Sequence, residues 1–294
     1  KQKTAYEIPK RDWSSDVCSS DLKSGLQRLV RASGLLNVLP ATLRSMETLM
    51  PAIGPKEPTL EVTPAQGPRR GRVGMLLGCV QREFLSPVNA ATARVLAAEG
   101  YEVAAPAEQP CCGALLTHAG EEHGAIAHAK RMIDVFERAG VDLVVSNAAG
   151  CGSAMKEYGR LLQHDSAYAA RAVAFSAKCR DVTEILAAGD TRAPRHPLRM
   201  RVAYQDACHL QHAQGVRMQP RDLLRQIPDL TLVELPEAAI CCGSAGIYNL
   251  VEPATAAELG DRKAALIAGQ QPDIVATGNP GCLLQLRSEE HTSE

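Results

Sequence analysis

Eight of the ten cysteines in this 294-residue chain fall into two sets of four with nearly the same spacing. In the first set, Cys79 is followed 32 positions later by Cys111, directly by Cys112, and after 39 more by Cys151. In the second, Cys208 is followed 33 positions later by Cys241, directly by Cys242, and after 40 more by Cys282. The surroundings repeat too. Each adjacent pair is followed by a glycine (Gly113, Gly243) and preceded five positions earlier by a proline (Pro106, Pro236). Each last cysteine follows a glycine and a nearby asparagine, Asn147 or Asn279. Such an internal duplication is the sequence sign of two related structural units.

Four thiols per unit form a soft donor set, and thiolates select zinc, copper(I) or iron–sulfur clusters. Zinc sites usually contain a chelating pair separated by about two to four residues, and neither set has one. Adjacent cysteines bend poorly onto one tetrahedral ion but reach two irons of a cluster. The glycine after each pair lets the backbone come close. The chemistry therefore favours iron–sulfur, with all eight cysteines as ligands and zinc in one unit as the alternative. Buried structural thiols are the plainer reading. Disulfides are disfavoured because nothing indicates an oxidising compartment.

The elements that must position these sulfurs alternate. Strands are expected at 73–77, 102–105, 143–146, 202–204, 230–235 and 274–277. Helices are expected at 89–99, with Asn89 as N-cap and Gly100 just past the end, and at 121–139, 153–162, 167–188, 220–227 and 254–268. A further helical pattern covers 23–50, and the proline-rich stretch from Pro51 to Arg72 reads as a linker. The pattern implies an α/β fold of two repeated cysteine-rich units, each a small mainly parallel sheet flanked by helices. In such folds binding groups sit in loops beyond the carboxyl ends of strands, where all eight cysteines fall.

Composition removes other classes. The formal net charge of −1 argues against nucleic acid as a partner. No apolar run approaches the roughly 18–20 residues of a membrane span. No dinucleotide fingerprint, P-loop or nucleophile motif is present. The two ends read differently from the rest. Arg287–Glu294 and Asp12–Leu22 match translations of opposite strands of a sequencing adapter, and Lys1–Ile8 resembles a flow-cell primer. Residues 1–22 and 287–294 are therefore expected to be adapter-derived and, at the start, unstructured. Residues 23–70 form a helix and linker, 71–190 the first unit and 191–286 a shortened second unit.

The repeated Cys…Cys-Cys-Gly…Cys arrangement resembles the cysteine-rich CCG domains of heterodisulfide reductases and their relatives. The stretches 89–96, 147–159, 206–210, 240–249 and 277–282 are most similar to the iron–sulfur subunits of glycolate oxidases. The resemblance covers essentially all of 23–286. It implies an electron-transfer subunit with one or two clusters of the 4Fe–4S kind. Flavin-containing glycolate oxidase subunits would feed it, and electrons would leave toward the membrane quinone pool. The location implied is cytoplasmic, peripheral on the inner membrane face. Related iron–sulfur subunits of lactate or glycerol-3-phosphate oxidation, and a thiol–disulfide reductase, share the cofactor. A zinc-stabilised scaffold that moves no electrons is the rival from another class.

Two departures stand out. Some relatives carry a fifth cysteine per unit, but Ala148 and Asn279 occupy those positions here. The family's amino-terminal ferredoxin-like portion, with its two cysteine runs, is also expected to precede Lys23. Among the other residues, Cys179 reads as a packed thiol. His209 and His212 read as polar loop groups or hydrogen-bonding neighbours of a cluster. Lys130, Arg131, Arg262 and Lys263 lie on comparable helices, as a solvated face or as charge compensation for anionic thiolates.

Overall fold

The computed structural model describes residues 7–9, 49 and 56–290. The helical pattern expected over 23–50 lies outside them. Two sheets carry the chain. The first contains β2 (Val62–Thr63), β3 (Gly71–Met75), β4 (Tyr101–Ala104), β5 (Leu143–Ser146) and β6 (Cys179–Asp181), in the order β2-β4-β3-β5-β6. All pairings are parallel except that of the short edge strand β2. The second holds β7 (Arg201–Gln205), β8 (Thr231–Val233) and β9 (Ile274–Thr277), with β7 central and parallel to both neighbours. Glu7–Pro9 lies antiparallel on the edge of β9 as β1, so that part of the segment expected to be unstructured is a strand.

Side chains alternate across each sheet, as they must when helices cover both faces. Val73, Met75, Val103 and Val145 point to one core, shared with Leu96 and Ile185. Ala104 and Val144 point to the other, with Met132, Ile133, Phe136, Met155, Tyr158 and Phe175. Gly74 is required here, because a Cβ would stand 2.5 Å from the Phe136 ring. In the second unit Ala203, Val233 and Val275 face one core, and Val202, Tyr204 and Ile274 the other. Leu85 and Ala149 of the first unit are packed into that first core, so the two units share apolar contacts.

The helices are α1 (Cys79–Phe84), α2 (Ser86–Ala98), α3 (Ala114–His118), α4 (Glu122–Arg138), α5 (Ala149–Lys156), α6 (Tyr158–Leu161), α7 (Ala169–Lys178) and α8 (Val182–Ala188) in the first unit. A π-helical turn (His209–Ala213), α9 (Met218–Arg225), α10 (Tyr248–Val251), α11 (Pro253–Gly269) and α12 (Pro280–Glu290) follow. Three expectations are corrected. Asn89 is not an N-cap: α2 begins three residues earlier, with Pro87 in its first turn, and Asn89 is buried inside it. The helix expected over 167–188 is broken by β6, because Cys179 is drawn wholly into the core as a sheet residue. The helix expected over 153–162 starts at Ala149 and is interrupted at Glu157.

Candidate iron–sulfur site

The cysteines arrive at each site from three directions. Cys79 follows β3 and opens α1, behind Gly78 at φ 64°. Cys111 and Cys112 end the loop after β4. Cys151 lies in the first turn of α5, after β5. In the second unit Cys208 follows β7 and caps the π-helical turn, Cys241 and Cys242 follow β8, and Cys282 lies in the first turn of α12 after β9. Parallel strands therefore deliver every cysteine at a carboxyl end, and helix N-termini present partial positive charge to sulfurs at Cys79, Cys151 and Cys282.

All eight thiols are free, and each set of four is in contact with itself. Cys111 Sγ stands 3.6 Å from Cys79 Sγ. Hydrogen bonds from Cys112 and Cys79, aided by the Gly113 N–H at 3.5 Å, hold the Cys111 thiol far below its ordinary range. The hydrogen bond to Cys111 pushes Cys79 and Cys112 up, and Cys112 also bonds to Cys151. The second set reproduces this. Cys241 is held low by Cys208 and Cys242, with the Gly243 N–H at 3.4 Å. Cys242 is pushed up by Cys241 and Cys282, and Cys282 is lowered by Cys242 and by Asn279, whose Nδ2 is 3.5 Å from its sulfur. Four packed thiols make a soft donor set, and ligand thiols must lose their protons when a metal binds. Among the described residues, no three or more His, Cys, Asp or Glu side chains form a ready-made single-ion site.

The glycine after each pair has a structural task. Gly113 and Gly243 sit at φ 79° and 93° and turn their N–H groups back onto sulfur. A Cβ at Gly243 would lie 2.3 Å from the Ala256 carbonyl oxygen of α11; one at Gly113 would lie 3.3 Å from Ala125 Cα of α4. Exposure is graded. Cys112, Cys242 and Cys282 are buried, Cys111, Cys151, Cys208 and Cys241 half-buried, and Cys79 exposed.

The two sites face each other. The Ala149 N–H donates to the Gly278 carbonyl at 2.9 Å, the Gly150 N–H to Asn279 Oδ1 at 3.3 Å, and Gln214 Nε2 to the Ala149 carbonyl at 2.8 Å. The loops bearing Cys151 and Cys282 are thus joined. The rings of His118 and His209 meet edge to face at 5.5 Å. His209 Nδ1 is 3.6 Å from Cys208 Sγ, and burial and then His118 lower its pKa. His212 is exposed. Cys179 belongs to neither site: it is fully buried, and burial pushes its thiol up to about 12.

Several supporting residues carry no cysteine signal. Gln109 accepts from the Leu77 N–H at 2.8 Å and donates to the Met75 and Pro106 carbonyls. Asn89 donates to the Leu77 carbonyl at 2.7 Å, and Asn147 donates to Asn89 and Thr92 while accepting from Gln81. Tyr158 donates to the Cys112 carbonyl at 2.7 Å. In the second unit Arg221 forks onto the Asp206 carboxylate at 2.9 and 2.6 Å. Asp206 stands two residues before Cys208 and Asn147 four before Cys151, so nearness to a proposed ligand was the clue to these two.

Comparison with known proteins agrees with this geometry. The cysteine-rich domain (CCG) family matches residues 73–156 and 202–287, and the linker region of glycolate oxidase iron–sulfur subunits matches residues 23–50. The "Probable glycolate oxidase iron-sulfur subunit" of Bacillus subtilis (strain 168) is 39% identical over 271 residues, covering 90% of this chain and 61% of the relative. The "Glycolate oxidase iron-sulfur subunit" of Escherichia coli (strain K12) is 32% identical over 302 residues, covering 96% and 73%. A fumarate reductase (CoM/CoB) subunit of Methanothermobacter marburgensis is 33% identical over 219 residues, covering 74% and 42%. The chain thus spans less than two thirds of the length of the first and third of these relatives.

Proposed function

Because the chain belongs to the cysteine-rich (CCG) domain family, and within it to the glycolate oxidase iron–sulfur subunits, we propose that it is the electron-transfer part of a glycolate-oxidising complex. The observation that carries this is the pair of four-thiol sets, each in mutual contact and each delivered at the carboxyl ends of parallel strands. Cys79, Cys111, Cys112 and Cys151 would hold one cluster, and Cys208, Cys241, Cys242 and Cys282 another, both of the 4Fe–4S kind. When bound, such clusters accept and pass on single electrons.

The chain's own part is placement and electrostatics. Helix N-termini and the Gly113 and Gly243 N–H groups stabilise sulfur as the anion. Exposed Cys79 puts one site near the surface, where a partner can approach. Electrons would come from flavin-containing subunits and leave toward membrane quinone, with the protein peripheral on the cytoplasmic face. Among the described residues no helix is long and apolar enough to cross a membrane.

We take residues 23–286 as the protein's own sequence and the flanks as adapter-derived. The linker match begins at residue 23, which agrees with the start of that division. Codons unlike the adapter at either end would overturn it.

The function is tested by anaerobic reconstitution of the chain with iron and sulfide. Bound iron with matching sulfide, cluster absorbance and a paramagnetic signal on reduction are expected. Cys112→Ser and Cys242→Ser should each remove one centre. Zinc bound without iron would replace this reading with the scaffold.

A further inference from the structure

Lys263 has the most thoroughly buried cationic side chain among the described residues, at 0% exposure. It lies on α11, and its Nζ donates to the carbonyls of Glu237 at 2.9 Å and Ala238 at 3.5 Å. Those carbonyls belong to the turn that leads into Cys241 and Cys242. A buried charge is costly unless an opposite charge compensates it. The nearby carboxylates are already engaged. Asp206 holds Arg221, and Glu237 holds Arg262 at 2.6 Å. Among the described residues no carboxylate lies within ion-pair distance of Lys263. Burial pushes its amine down, and Cys242, Asp206, Glu237 and Cys241 oppose that push.

The first unit has no such group. The α4 and α11 helices can be aligned through the contact each makes with its glycine: Gly113 meets Ala125, and Gly243 meets Ala256. Seven residues further on, two turns along the same helix face, stand Met132 and Lys263. Met132 is fully buried and packs in the apolar core. Arg131 reaches the Glu108 carbonyl of the corresponding turn at 3.1 Å, but as an exposed side chain that water and salt screen. Lys130 pairs with Asp165.

We infer that Lys263 is a fixed counter-cation of the second cysteine set, absent from the first, and that it makes the second centre the more easily reduced of the two. The inference rests on the reading of these cysteines as cluster ligands. Adding an electron to a thiolate-bound cluster adds negative charge, and a buried cation stabilises that product. Net charge and hydrogen bonding are among the quantities that set such potentials. Lys263 touches neither cluster nor sulfur by hydrogen bond, so it is a positioning residue that acts through the field and through the 237–238 turn.

The test is an anaerobic redox titration of the reconstituted chain, followed by paramagnetic resonance, with the second centre identified as the one lost in Cys242→Ser. Lys263→Gln keeps a donor for the turn and removes the charge; Lys263→Met installs the first unit's side chain. In each, the reduction equilibrium of the second centre should fall at least tenfold, 59 mV for one electron, with the first centre moving less than threefold. Should Lys263→Met not fold, Lys263→Gln carries the test alone. Unmoved potentials in a variant that loses only urea resistance would mean a purely structural tie and overturn the inference, as would equal shifts of both centres. Absence of iron from the unaltered chain would instead defeat the functional reading on which it rests.

Discussion

The first unit holds its leading cysteine with neutral amides, and the second holds its own with buried ions. Ahead of Cys79, Leu77 is pinned through its N–H by Gln109 and through its carbonyl by Asn89. A chain of amides then runs from Asn89 to Asn147 and on to Gln81. Ahead of Cys208, the Asp206 carboxylate takes two hydrogen bonds from Arg221, which also reaches Glu234 and the Arg217 carbonyl. Side-chain exposure is only 3% for Asp206 and 10% for Arg221. The same four-sulfur arrangement is thus supported by two unlike polar shells. Amides position a loop without charged groups, whereas the second unit positions its loop with a buried ion pair. Duplicated units can keep their ligands and still diverge in the field those ligands feel.

The largest effect should come from breaking the ionic shell. Arg221→Met leaves Asp206 buried without its partner and should cost about 3–5 kcal/mol, the usual penalty for half of a buried pair. Urea unfolding of the reconstituted chain measures it, and Cys208 should become the most readily alkylated thiol of its set. A loss below about 1 kcal/mol would show that the pair behaves as a solvent-screened surface bridge. Adding Asp206→Leu to Arg221→Met should recover much of the loss.

Next in size is the glycine contrast. Gly243→Ala forces a Cβ to 2.3 Å from the Ala256 carbonyl oxygen, so backbone must move. Together with the left-handed φ, that should cost about 2–4 kcal/mol. Gly113→Ala meets Ala125 at 3.3 Å and should cost about 1–2 kcal/mol, chiefly from φ. Equal costs would mean that the two pairs are seated alike after all. A comparable first-unit loss should follow Gln109→Leu: about 1–3 kcal/mol, because the Leu77 N–H loses its partner in a buried loop.

Much of this molecule was legible in the sequence because its signals are local. The doubled cysteine spacing picked out the two sets of thiols that the fold brings into contact, and the strand-helix alternation pointed to two mainly parallel sheets. Gly100 marked the end of α2 and takes positive φ there. What could not be read depends on tertiary context. Asn89 carries the side chain of an N-cap, yet Pro87 starts the helix earlier and the buried Leu77 carbonyl claims its amide. Cys179 sits in a run with helical periodicity, and only pairing of β6 with β5 shows it to be a strand. Lys263 looks like a solvated helix residue beside Arg262 until α11 is docked. Arg221 has no spacing relation to Asp206, because the contact is made by folding.

The smallest predicted effect isolates the first unit by one hydrogen bond. Tyr158 is 1% exposed, its ring stacks on Phe175 at 5.6 Å, and its hydroxyl donates to the Cys112 carbonyl at 2.7 Å. Tyr158→Phe keeps the ring and removes only that donor. The expected cost is about 1 kcal/mol, and a melting point lower by about 2–4 °C. The functional readout is sharper than the stability one. Cys112 joins Cys111 to Cys151 within the set, so loosening its carbonyl should speed alkylation of Cys111 and Cys112 in the apo chain. Cys241 and Cys242 should react at unchanged rates, because Tyr158 packs only in the first unit's core. If all four thiols react faster, the joined loops at Ala149–Gly278 transmit the change, and the two sites behave as one cooperative body rather than two supported separately.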